Sequence, residues 1–194
     1  MIKEKEEMQM ANPEKKYALL MIDLLNDFNF PRGNLLAEYT LEMCPSLLKL
    51  KNFCKQQQIP VIYINDHYGL WKADLDTLMD HAVNDRSAPI IQQIKPDSDD
   101  YFLIKPKHSG FYGTALNTLL HQLGVDSVIV TGVAGNICVF FTANDAYMRE
   151  YNIYVPENGI ASETKKDNHY ALEMMRTVLS ADTTKIEQFI QSHH

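Results

Sequence analysis

The sequence predicts an α/β fold, a three-layer, doubly wound domain around a mainly parallel sheet. Three observations predict it. Short continuous apolar runs alternate with stretches whose apolar residues recur at helical spacing, as in strands covered on both faces by crossover helices. The chain has 194 residues, 45% of them hydrophobic, which is enough for one well-buried domain and short for two. Three of the runs deliver an ionisable side chain or a thiol just beyond their carboxyl ends, where open α/β sheets place their ligand crevices.

Residues 1–16 are charged and polar and are expected to form a tail ahead of a domain over 17–190. Tyr17 to Asp23 (YALLMID) opens the domain as a buried strand that ends in a carboxylate. The stretch from Asn26 to Leu35 carries turn formers and two phenylalanines, and reads as an irregular loop. Apolar residues at helical spacing then predict a helix from Thr40 to Gln58, with Pro45 tolerated near its start and Cys44 and Cys54 on its apolar stripe. Pro60 to Asn65 is the second strand, followed at the same sheet edge by Asp66, His67 and Trp71.

Leu75–Val83 and Ala88–Ile94 read as short helices, the second with Pro89 in its first turn. Tyr101 to Lys105 is the third strand, and Pro106 to Thr114 is the loop after it. A helix starts at Thr114 and stops at Gly124. The run from Asp126 to Thr131 is the fourth strand; it ends at Gly132, and Cys138 follows in the first turn of a helix reaching about Glu150. Ile153–Pro156 is the fifth strand, with proline confined to its end. Asp167–Leu179 is a helix, Asp182 caps a last one through Ile190, and a sixth short strand is placed near Val178–Ala181.

Composition narrows the function. A net charge of −7 argues against nucleic acid and anionic membranes as partners and leaves a small molecule as the default. Three cysteines without close pairing suggest neither a disulfide framework nor a cysteine-built zinc site, so a reducing compartment is expected. No apolar run has the form of a signal peptide or approaches the roughly 18 residues of a membrane span, which predicts a cytoplasmic protein.

The candidate chemistry lies at one rim, where three strands bring Asp23, Lys105 and Cys138. A thiol at a helix amino end sits among unpaired amides that favour a thiolate and can bind a developing oxyanion. A nearby lysine favours the thiolate further, and a desolvated carboxylate can hold its proton. Asp66 and His67 are a carboxylate and an imidazole side by side, and with His81 they are the candidate metal ligands. Neighbours on an extended chain point to opposite sides, however, so no bound metal and no cofactor is expected. Phe28, Asn65, Trp71, Phe111 and Phe141 are candidates for lining a pocket suited to a small, partly planar substrate.

Three motifs carry a resemblance to a known family: LMID at Leu20–Asp23 with NDF at Asn26–Phe28, IKPKHSGF at Ile104–Phe111 with Gly113 and Thr114, and TGVAGNICV at Thr131–Val139 with Thr142, Ala143, Asp145 and Ala146. The chain resembles the isochorismatase-like cysteine hydrolases, which include nicotinamidases, N-carbamoylsarcosine amidohydrolase and ureidoacrylate amidohydrolase. The resemblance implies a six-stranded sheet of order 3-2-1-4-5-6 and a dimeric or tetrameric homo-oligomer. It implies Cys138 as nucleophile, Asp23 as base and later acid, and Lys105 as the cation holding the two. It also implies an oxyanion hole from the amides of Ala134 and Cys138, with the Val133–Ala134 peptide cis. Hydrolysis of a C–N bond in a small amide, carbamoyl or ureido compound is then expected. The alternatives are a metal-dependent nicotinamidase, whose usual Asp-x-His pattern is displaced here to Asp66-His67, an isochorismatase-type vinyl ether hydrolase, and a non-catalytic ligand-binding member of the fold.

Overall fold

In the computed structural model, residues 15–72 and 74–193 are described; the expected tail lies outside them except for Lys15 and Lys16. The strands are β1 (Tyr17–Ile22), β2 (Val61–Asp66), β3 (Tyr101–Lys105), β4 (Ser127–Val133), β5 (Asn152–Tyr154) and β6 (Ile160–Ala161). The helices are α1 (Gly33–Gln56), α2 (Leu75–Ala82), α3 (Ala88–Ile94), α4 (Leu116–Gln122), α5 (Phe140–Tyr147), α6 (Lys165–Val178) and α7 (Ile186–Ser192). All pairings are parallel, in the order β3-β2-β1-β4-β5, with β6 beside β4.

Strand alternation divides the interior into two layers. Leu19 and Met21 of β1 and Ile129 of β4 face α1 and α7, where they meet Leu47, Leu50 and Phe189. Ala18, Leu20 and Ile22, with Val128 and Val130, face the other side and meet Leu116, Leu120, Ala143, Ala146 and Met175 from α4, α5 and α6. Every residue of β4 is buried, which is why its run carries no polar alternation.

The sixth strand departs from its expected place. Residues up to Val178 remain helical, and Ile160–Ala161 forms β6 on the upper part of β4, pairing Gly132 with Ile160 and Val133 with Ala161. β5 is only three residues long and leaves that part of β4 open. The outer side of β5 is met by a single parallel bridge between Tyr154 and Asp182, just past the expected segment. Asp182 accepts from the Thr184 amide, and Lys185 rather than Asp182 precedes α7.

α1 begins at Gly33, seven residues before the expected start, because Leu36 and Ala37 already extend its buried stripe. Pro45 therefore lies mid-helix. The carbonyl it cannot pair with belongs to Leu41, a residue on the half-exposed side of the helix. Cys44 and Cys54 are fully buried among core residues, as their place on the stripe predicts.

Candidate active site

Asp23 follows β1 with a left-handed backbone, φ 49°, while its amide still donates to Ile64 and continues the ladder toward β2. This turn sends its carboxylate across the sheet edge. Oδ1 accepts from the Asp66 amide at 2.8 Å, and Oδ2 lies 2.9 Å from Lys105 Nζ. Lys105, the last residue of β3, is wholly buried and reaches Cys138 Sγ at 3.5 Å, with Asp66 Oδ2 at 3.7 Å. Three strand ends thus put a carboxylate, an ammonium and a thiol in contact.

The turn carrying the thiol differs from an ordinary helix start. Gly135–Val139 form one π-helical turn ahead of α5, and the Val133–Ala134 peptide before it is cis. Two glycines make the approach possible. A Cβ on Gly132, whose φ is 112°, would stand 2.1 Å from the Ile22 carbonyl oxygen, and one on Gly135 would stand 2.6 Å from Asn168 Oδ1. Ser162 Oγ accepts from the Asn136 amide and donates to Asn168, bracing the turn from behind. A cavity of about 280 Å³ opens between α1 and α6 on that far side, with Tyr39, Glu42, Ser162 and Asn168 in its wall. Asp23, Lys105 and Cys138 do not line it.

Burial governs the protonation states. Burial raises the Asp23 carboxyl above the ordinary carboxylate range, against the opposing pull of Lys105, Cys138 and the Asp66 amide. Burial lowers the Lys105 ammonium, but Asp23, Cys138 and Asp66 together more than offset it, so the group stays protonated. The Cys138 thiol is pushed well up by burial and then by Asp23, more than Lys105 brings it down. This runs against the expectation of a lowered thiol: desolvation and the adjacent carboxylate exceed the pull of the lysine.

The expected pocket residues divide. Phe28 and Phe111 are closed in the two core layers, and Phe111 lies under the Arg149 guanidinium. Asn65 is wholly buried and brackets Leu25, accepting from its amide at 3.1 Å and donating to its carbonyl at 2.8 Å. All three side chains are thereby closed off from solvent, so none of them stands on an open pocket wall. Trp71 is 78% exposed and packs on the His67 ring. Phe141 stacks on His108, whose Nδ1 lies 3.9 Å from Cys138 Sγ.

His108 escaped the sequence reading, as did the tasks of Thr142 and Asp145. Thr142 Oγ1 donates to the Cys138 carbonyl at 2.7 Å and accepts from the Gly110 amide at 2.9 Å. Asp145 accepts from Ser109 Oγ at 2.5 Å and holds Arg149. One face of α5 therefore clips the loop after β3 to the thiol's own turn. The spacing of Thr142 and Asp145 from Cys138 was the available signal, since residues three to four apart share a helix face.

The candidate metal ligands do not converge. Asp66 accepts from the Tyr68 amide, His67 Nδ1 accepts from the Gly69 amide, and His81 faces Asp27 at 3.9 Å. Among the described residues, ligand atoms of Asp97, Asp99 and Asp100 do gather, but Lys51 and Lys55 already lie on them. The donor set at the rim thus does not fit a metal ion held by Asp66, His67 and His81.

Comparison with known proteins agrees with this architecture. Residues 17–188 match the isochorismatase domain model. The chain is 54% identical over 174 residues to the isochorismatase family protein YaaI of Bacillus subtilis, covering 90% of this chain and 96% of that one. Among solved structures it is similar to an isochorismatase-like hydrolase from Alkaliphilus metalliredigens, with TM-score 0.73, 28% identity, and coverage of 92% of this chain and 99% of that chain. It is also similar to N-carbamoylsarcosine amidase from Thermoplasma acidophilum, with TM-score 0.69, 27% identity, and coverage of 89% and 97%. With its family model spanning nearly the whole sheet and its helices, the chain belongs to the isochorismatase family.

Proposed function

We propose that the protein is a cysteine hydrolase that cleaves a C–N bond of a small amide, carbamoyl or ureido compound through a thioester-type intermediate. The observation that supports it most is the contact chain from Asp23 through Lys105 to Cys138 at the carboxyl ends of β1, β3 and β4. The similarity to an N-carbamoylsarcosine amidase supports the bond type.

The steps follow from the protonation states. On substrate docking, the Cys138 thiol gives its proton to Asp23 and the sulfur attacks the carbonyl carbon. Lys105 stays charged throughout and offsets the negative charge as it moves from oxygen to sulfur. The new oxyanion takes hydrogen bonds from the Ala134 and Cys138 amides, each worth on the order of 3 kcal/mol. Asp23 then protonates the departing nitrogen as the C–N bond breaks, leaving the acyl group on sulfur. Water attacks that group, Asp23 takes the water's proton, and collapse returns the proton to the sulfur as the acid leaves. Because the rim's donor set does not fit a metal, no step is assigned to one.

Ammonia release from a panel of small amides, carbamoyl amines and nicotinamide tests the reading. Turnover of a panel member by the wild type, lowered at least about a thousandfold in Cys138→Ala, is the expected result. Unchanged turnover in Cys138→Ala refutes it.

A further inference from the structure

The buried side of Cys138 Sγ is taken by Lys105 and Asp23, which are 0% and 5% exposed. Its open side is bounded by His108, whose Nδ1 lies 3.9 Å from Sγ and whose ring face is stacked on Phe141 at 5.6 Å with 24° between planes. The stack turns a ring edge, with its nitrogen, toward the sulfur. The next residue, Ser109, is fixed to Asp145, and Gly110 to Thr142, so the backbone bearing the imidazole is anchored to α5.

A carbon attacked by Cys138 carries three other substituents. With the oxyanion on the amides of Ala134 and Cys138 and the leaving nitrogen on Asp23, the third substituent is left for the open side, where His108 stands. We propose that His108 is a specificity-determining residue that hydrogen-bonds the atom on the non-leaving side of the carbonyl. That atom is nitrogen in a ureido or carbamoyl substrate and carbon in a plain carboxamide. A nitrogen there carries an N–H that pairs with the imidazole, whereas a methylene offers no partner; His108 is itself exposed, so the discrimination is the worth of that one hydrogen bond. The substrate class is therefore a monosubstituted urea, R–NH–CO–NH₂. Attack by the Cys138 thiol expels ammonia and leaves R–NH–CO– on sulfur. Water then releases a carbamic acid, which loses carbon dioxide to give the amine.

The inference rests on Cys138 being the nucleophile, so its test separates the two. Ethylurea and butyramide differ only by N–H against CH₂ at the atom in question, and both release ammonia. The ratio of their kcat/KM values is measured in wild type, His108→Phe, which keeps a ring on Phe141, His108→Gln, which keeps a hydrogen-bonding group, and Cys138→Ala. The ratio of ethylurea to butyramide is expected to fall about tenfold or more in His108→Phe and to recover in His108→Gln. A ratio unchanged in His108→Phe, with turnover still dependent on Cys138, overturns the inference alone. Turnover that survives Cys138→Ala overturns the nucleophile reading and the inference with it. Should both compounds turn over too slowly to rank, their protection of Cys138 against iodoacetamide gives the same ratio, and equal protection in wild type and His108→Phe overturns the inference.

Discussion

Lys105 is the residue on which the rim's electrostatics turn. Its ammonium is wholly buried between Asp23 and Cys138, and removing it leaves a desolvated carboxylate without its partner. Breaking a buried pair from one side costs about 3–5 kcal/mol, whereas removing both partners costs less. Urea unfolding should therefore show Lys105→Met to be less stable than Asp23→Asn/Lys105→Met, and the reverse order contradicts the pairing. Asp23 supplies a pH prediction as well. As the proposed base it has to be ionised in the free enzyme, and burial raises its carboxyl, so kcat/KM is expected to fall as pH drops through a value above the ordinary carboxylate range of about 4. A pH–rate profile whose acid limb lies at or below that range places the base elsewhere.

Among the elements, α1 and β4 bear the most specific consequences. Burial pushes the thiols of Cys44 and Cys54 on α1 up to about 11 and about 12, while an unfolded thiol loses its proton near about 8.5. These raised groups favour the folded state fully below the unfolded value, and that contribution is lost as pH rises toward the folded values. Between roughly pH 9 and 11 each thiol should lower stability by up to about 1.4 kcal/mol per pH unit. Urea unfolding at pH 8 and pH 10 should show a smaller loss for Cys44→Ala than for wild type; equal losses remove the thiol as cause. In β4, Gly132 meets β1 at the Ile22 carbonyl, between the strand ends that lead to Asp23 and Cys138. Gly132→Ala should destabilise the fold by more than about 3 kcal/mol, through a Cβ placed against backbone and an unfavourable φ, and a near-neutral thermal midpoint refutes that geometry. Elements were legible where periodicity was strong: β1 to β4, α2 and α3 match their expected spans within a residue or two. They were illegible where few residues decide the outcome. The two-residue β6 takes the part of β4 beyond the short β5, the start of α1 was masked by the turn formers Asn29, Pro31 and Gly33, and no sequence pattern marked the π turn at Gly135–Val139.

At the scale of the whole molecule, a parallel sheet with both faces covered leaves the carboxyl strand ends as the rim where side chains from distant positions meet. That is why the meeting of Asp23, Lys105 and Cys138 could be read from the sequence, each standing at the end of a recognisable strand or a few residues past it. Pocket residues could not be read the same way: Phe28, Asn65 and Phe111 are buried by what packs around them, and a strand pattern says nothing of it. The two layers also bury Cys44 and Cys54 while leaving Cys138 partly open. Native labelling with iodoacetamide followed by peptide mass mapping should modify Cys138 alone, and comparable labelling of the other two refutes this division. Among the described residues, no helix is long and apolar enough to cross a membrane. The nucleophilic role of Cys138 is tested most directly by acid-quenching the protein during turnover of a compound from which it releases ammonia and weighing the chain. The expected result is a mass gain equal to the substrate less ammonia, mapped to the peptide containing Cys138 and absent in Cys138→Ala. An unmodified chain, with Cys138→Ala turning over at the wild-type rate, would contradict it.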